Sequence, residues 1–266
     1  MTDFDAITTW LVADDGGSWS MTVGEDWGQG RAAFGGVLTA AALKSMRSLV
    51  ARDRIPRSIV TSFIGPLRPA PATLTARIVR TGRALTSAEA RITQNGSDVA
   101  LLQASFGAAR PSGVRLPLPV RPQRSRPAPD SSMPFFPGIT PAFTEKFAYH
   151  WTDGQPPFSG HDTPYIGGWC RHRTPATDGF AAVVALLDAW PAPILSLLTA
   201  PAPASTVSWT AHFIDVPDVT PDDWFWFDAE AVTASDGYAT TRGRLFAPDG
   251  RLAAHMEQRV VVFDKR

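Results

Sequence analysis

The sequence predicts an α+β fold made of two similar halves, each an antiparallel sheet wrapped around one central helix. Three observations lead there. Each half contains one apolar helix rich in small residues. Each helix is followed by alternating, strand-like segments that include a tight hairpin turn. A Pro-rich stretch without periodicity separates the two halves.

The first half opens with an extended segment at Trp19 to Val23 and a turn-rich stretch from Gly24 to Gly30. Phe34 to Ala51 has the Ala and Leu content and the apolar spacing of a buried helix, with two glycines at its start. Strands are predicted at Ser58 to Phe63, Thr73 to Val79, Leu85 to Thr93 and Val99 to Phe106, with Asn95-Gly96 as a hairpin turn. Residues 110 to 137 combine many prolines with scattered Arg and Ser and read as a linker lying across a surface. The second half repeats the order. Phe143 to Trp151 and Ile166 to His172 read as strands, and Asp178 to Asp188 reads as a helix closed by Pro191. Strands follow at Val207 to Ile214, Trp224 to Val232, Ala239 to Phe246 and Leu252 to Phe263, the last after a turn at Asp249-Gly250. An antiparallel sheet around one buried helix is the hotdog architecture. The expected arrangement is a double hotdog, two antiparallel sheets side by side, with domains 1–109 and 138–266 and linker 110–137.

Composition narrows the function. Of 266 residues, 44% are hydrophobic and 19% charged, enough apolar material for a core and too few charges for a disordered chain. The formal net charge is zero, so no broad basic field exists to hold nucleic acid or an anionic membrane. The longest apolar run, Phe180 to Leu187, ends at Asp188 and is too short to span a bilayer. The single cysteine, Cys170, permits no intramolecular disulfide and fits a reducing compartment. The acidic N-terminus lacks the basic flank and apolar run of a signal peptide, so a cytoplasmic location is expected.

The chain resembles the acyl-CoA thioesterase II family along nearly its whole length. In the first half the matching words are Phe34-Gly35-Gly36, Leu67-Arg68-Pro69, Gln94-Asn95-Gly96 and Ala104-Ser105-Phe106. In the second they are Trp169 with Arg171, Asp188, Trp224, Arg242-Gly243, Asp249-Gly250 with Leu252 and Ala254, and Gln258. The resemblance implies an acyl-CoA substrate hydrolysed by a water that an Asp, a Thr or Ser, and a Gln hold in place. Carried over by position, the Gln is Gln258, the hydroxyl residue falls at Val232 or Thr233, of which only Thr233 can do the work, and the Asp position holds Thr210. A threonine cannot accept a proton at neutral pH as a carboxylate can, so this is a departure from the family. The linker arginines would then either contact CoA phosphates or, as the simpler reading, belong to a solvated connector.

Thioester hydrolysis needs donors for the charge that develops on the carbonyl oxygen, and a water that is aimed and partly deprotonated. Gly35 and Gly36 are candidates for the first, since the leading N–H groups of a helix have no intrahelical partner. The start of the second helix, Asp178-Gly179, would be capped by its own carboxylate, which favours the first helix. Gln258 and Thr233 can orient a water but hardly deprotonate it. Two residues could replace the missing acid. His212 lies on the same strand face as Thr210, and Asp188 matches a family acid near the helix end. Against these stand structural roles: a histidine bonded within the sheet, and an acid that positions the Pro191 turn.

Other chemistries lack their signatures. There is no G-x-S-x-G elbow, no Rossmann fingerprint or P-loop, and no His spacing for a metal, so neither cofactor nor metal is expected. Cys170 beside Trp169 reads as a buried structural thiol. Two alternatives remain: a degenerate hotdog that binds acyl-CoA without hydrolysing it, and a hotdog enoyl- or hydroxyacyl-CoA hydratase. The sequence leaves a monomer and a homodimer of double hotdogs both open.

Overall fold

The computed structural model describes residues 2–12, 17–128 and 131–265. In chain order the elements are α1 (Phe4–Thr8), β1 (Leu11–Val12), β2 (Ser18–Thr22), β3 (Gly28–Gln29), β4 (Ala32–Ala33), α2 (Gly35–Ser48), β5 (Ile55–Phe63), β6 (Pro71–Thr81), β7 (Thr86–Gln94) and β8 (Ser97–Gly107). The second half contributes β9 (Phe147–Gly154), β10 (Tyr165–His172), α3 (Gly179–Asp188), β11 (Ala204–Phe213), β12 (Phe225–Ser235), β13 (Tyr238–Phe246) and β14 (Leu252–Val262). Short 3-10 turns precede β3, precede β9 and follow α3.

The expectation of two sheets needs correction, because the halves share one sheet. Twelve strands run in the order β1-β2-β6-β7-β8-β5-β11-β14-β13-β12-β10-β9, and every pair in it is antiparallel. The junction is β5 against β11, with Thr61 opposite Trp209. Each of these strands would be an open edge in its own half. Pairing them satisfies both rows of backbone groups and leaves no edge at the centre.

Both helices lie on the same side of this sheet and pack on each other. Small residues make the approach possible: Ala40, Ala41 and Ala42 on α2 and Ala181, Ala182 and Ala185 on α3 are fully buried. Gly36 is needed for the same reason, since a Cβ there would sit 2.5 Å from the Phe34 ring and 3.2 Å from Ala185 Cα. The helices run antiparallel. The start of α2 meets the end of α3, and Arg47 near the end of α2 reaches Asp178 at the start of α3. Gly179–Leu197 is long and apolar enough by composition to cross a membrane, but here it is mostly buried and is interrupted after Asp188.

Several local features differ from expectation. Helix α2 is shorter than 34–51, and residues 142–146 form a 3-10 turn before β9 begins at Phe147. The short helix α1 has no periodicity long enough to read in the sequence; Asp3 caps it by accepting from Ala6 N–H at 2.7 Å. Phe4 of α1 then packs between Trp27 and His172, joining the two halves. The described part of the linker forms neither helix nor strand. Its arginines hold it to the second half: Arg124 forks onto the Asp153 carboxylate, Arg126 donates to the Pro248 carbonyl, and the Arg121 guanidinium lies 4.6 Å above the Trp169 ring.

Candidate active site

Strand β11 sets the geometry of the site through an irregularity. Thr206 pairs with Val260 and Ser208 with Arg259, so Val207 is an extra residue that breaks the alternation. As a result Thr206, Trp209, Ala211 and Phe213 share the face that carries the helices, while Ser208, Thr210 and His212 point outward. Gln258 on β14 stands opposite Trp209 and also faces the helices; its neighbour Glu257 faces out and pairs with Arg242.

Three polar side chains meet on the inner face. The Gln258 amide donates through Nε2 to Thr206 Oγ1 at 2.8 Å and to Asp188 Oδ1 at 3.4 Å. Asp188 is the last residue of α3. Its carboxylate also lies against the start of α2, across the junction of the two halves, where the Gly36 N–H favours its charged form. No Lys or Arg forms an ion pair with it among the described residues. Asp188 keeps a narrow exposed edge, yet the protein packs around it closely enough that desolvation pushes its pKa up to about 7, only partly opposed by the Gly36 N–H. A carboxylate with that pKa changes charge near neutral pH and can take a proton from water.

The surroundings are apolar and tightly packed. Tyr149 donates its hydroxyl to the Ala189 carbonyl at 3.0 Å, and burial raises its pKa well above the ordinary tyrosine value. Trp190 packs edge-on against Tyr149 and Trp151 and stacks on Phe227. A Cβ on Gly35 would stand 3.0 Å from Asp188 Oδ2 and 3.0 Å from Phe63, so glycine lets this carboxylate reach the helix start without displacing either side chain. Directly opposite Gln258 on β13, Thr241 is fully buried, and its Oγ1 has no hydrogen-bond partner among the described residues.

The structure sorts the sequence candidates. It brings Gln258, Asp188, Gly35 and Gly36 together. Thr210 is not part of this group: it pairs with Val60 and Glu257 and faces away, because the strand alternates below the bulge. His212 faces the same outer side, stacked on His255 with ring centroids 4.8 Å apart. Thr233 is exposed, beside a second irregularity between Ala231 and Thr233 in the outer part of β12. The Gly36 N–H lies beside the Asp188 carboxylate. Asp178 caps α3 as expected, accepting from Ala181 N–H at 3.0 Å. Cys170 is buried, with its thiol pushed up to about 12 by desolvation. Thr206 was not legible; a hydroxyl residue three positions before an inward tryptophan lies on the wrong face unless a bulge intervenes.

The site can be set beside known proteins. Residues 23–107 match the acyl-CoA thioesterase N-terminal domain and residues 122–262 the acyl-CoA thioesterase C-terminal domain. No curated protein matches the chain. Among solved structures, a conserved protein of unknown function with a hot dog fold from Alicyclobacillus acidocaldarius aligns over 98% of each chain, with 24% identity and a TM-score of 0.84. A tesB protein from Mycobacterium avium subs paratuberculosis aligns over 97% of this chain and 98% of its own, with 16% identity and a TM-score of 0.79. An acyl-CoA thioesterase II, TesB2, from Mycobacterium marinum aligns over 97% of each chain, with 18% identity and a TM-score of 0.75. At these identities the likeness is one of fold.

Proposed function

Because the chain belongs to the acyl-CoA thioesterase family, we propose that it hydrolyses an acyl-CoA thioester to the free acid and CoA, with water as nucleophile. The carrying observation is Asp188, a carboxylate with no cationic partner among the described residues, hydrogen-bonded to Gln258 and poised near pH 7. Asp188 takes a proton from the attacking water. Thr206 and Asp188 hold the Gln258 amide in one orientation through its Nε2, so its Oε1 is turned to accept from that water. Attack forms a tetrahedral oxyanion. Its collapse breaks the C–S bond, and the proton held by Asp188 passes to the departing CoA thiolate. No covalent enzyme intermediate is required.

This reading replaces the acid-deficient site. Thr210 stands on the other face of the sheet, so its identity places no limit on hydrolysis, and the case for a binding module without hydrolysis loses its support. A hydratase fits less well, since among the described residues no imidazole is hydrogen-bonded to Asp188 or Gln258. The same reading treats residues 1–109 and 138–266 as two hotdog units joined by linker 110–137, acting in the cytoplasm on a CoA ester. The test is thiol release from acyl-CoA substrates over a chain-length series, with wild type and Asp188→Asn side by side. Release by wild type and its loss in the variant are expected. Tight acyl-CoA binding without thiol release by wild type would return the protein to the binding-module class.

A further inference from the structure

The oxyanion of the proposed reaction needs hydrogen-bond donors. Both N–H bonds of the Gln258 amide are engaged, by Thr206 and Asp188, so this side chain has no donor left for the oxyanion. The Gly36 N–H lies beside the Asp188 carboxylate. Thr241 carries an uncommitted donor on the same face as Gln258. It lies directly opposite Gln258 in the β13–β14 pair, where side chains on one face stand about 5 Å apart. It faces the helices, is fully buried, and its hydroxyl finds no partner among the described residues. A buried hydroxyl left unsatisfied is costly, and valine would fill the same volume without that cost. The neighbouring residues on this face, Ala239 and Val260, are apolar, so nothing about the packing calls for a polar group here.

We propose that Thr241 is a further catalytic residue, whose hydroxyl donates to the thioester carbonyl oxygen as it becomes the tetrahedral oxyanion. This inference rests on the thioesterase reading above. The cost of holding the hydroxyl unsatisfied in the free protein is recovered in the transition state, where the charge is largest.

Thr241→Val and Thr241→Ser separate this role from a structural one, read with the best acyl-CoA of the chain-length series and its analogue bearing a methylene in place of sulfur. For Thr241→Val, kcat should fall by on the order of 10²-fold, as for loss of one oxyanion donor. KM and analogue affinity should change little, and Tm should stay level or rise. Thr241→Ser should restore most of kcat. Unchanged kcat in Thr241→Val, with Asp188→Asn inactive, overturns the inference and leaves the thioesterase reading standing. So does a fall in kcat that serine fails to restore, or one matched by an equal loss of analogue affinity. Wild type that releases no thiol from any acyl-CoA overturns both.

Discussion

The two ends of the antiparallel helix pair are built from the same parts and do opposite things. At one end Asp178 caps α3 and is met by Arg47 from α2, 2.9 Å away and partly exposed. At the other, Asp188 meets the start of α2, with no ion-pair cation among the described residues; Gln258 donates to it and the Gly36 N–H lies beside it. The first carboxylate is neutralised by a partner and stays in contact with solvent. The second is desolvated and held near neutral pKa. A folding unit repeated twice thus offers two helix junctions, and only the one lacking an arginine has a carboxylate free to act as a base. Gly35 sharpens the difference, because a Cβ there would crowd Asp188 Oδ2 and the Phe63 ring, both at 3.0 Å.

The comparison breaks most readily at Asp188. Asp188→Asn keeps the shape and removes the base, so kcat should fall by roughly 10³-fold or more, within the range for lost general-base assistance. Its effect on stability should be the reverse. The folded-state pKa of Asp188 is raised from 3.8 to about 7, so the folded protein binds the proton more tightly than the unfolded chain. Stability therefore declines as pH rises from about 4 through 7, and is flat above. Thermal melts should show Asp188→Asn more stable than wild type at pH 8, with the gap closing near pH 4. A variant less stable at pH 8 would mean that the carboxylate is a structural fixture.

Gln258→Ala comes next, with turnover expected to fall about 10²-fold while affinity for a non-hydrolysable acyl-CoA changes little. Equal losses of binding and turnover would reduce Gln258 to pocket lining. Thr206→Val removes only one of the two acceptors that hold the amide, so a loss of about tenfold is expected. Thr210→Asp places a charge on the outer face and should leave kcat within about twofold; a gain in turnover would contradict the inward role assigned to Thr206. At the opposite junction the effects are smallest. Arg47→Ala should cost about 0.2–1 kcal/mol, as a partly exposed pair does, and leave turnover unchanged.

Most of the fold was legible because its signals are local and repeated. The alanine-rich helix after Phe34-Gly35-Gly36, the Asn95-Gly96 turn and the strands around it follow from periodicity. The union of the two sheets was not, since no local property of β5 or β11 says which strand lies beyond its edge. At the site, Gln258 and the end of α3 could be read. The inward turn of Thr206 could not, because it depends on a single extra residue at Val207 that composition does not announce. Thr210 entered as the position matching the family acid and His212 by sharing its strand face; both lie on the outer face, on the far side of that bulge from Thr206.

The pH dependence of kcat/KM, measured for wild type, Asp188→Asn and His212→Asn, tests the central claim most directly. With Asp188 as base, wild type and His212→Asn should share a limb rising through about pH 7, and the residual activity of Asp188→Asn should lack it. An imidazole can titrate in the same range, so the limb in wild type alone does not identify its source. A limb that persists in Asp188→Asn, or one that disappears in His212→Asn, would contradict the account.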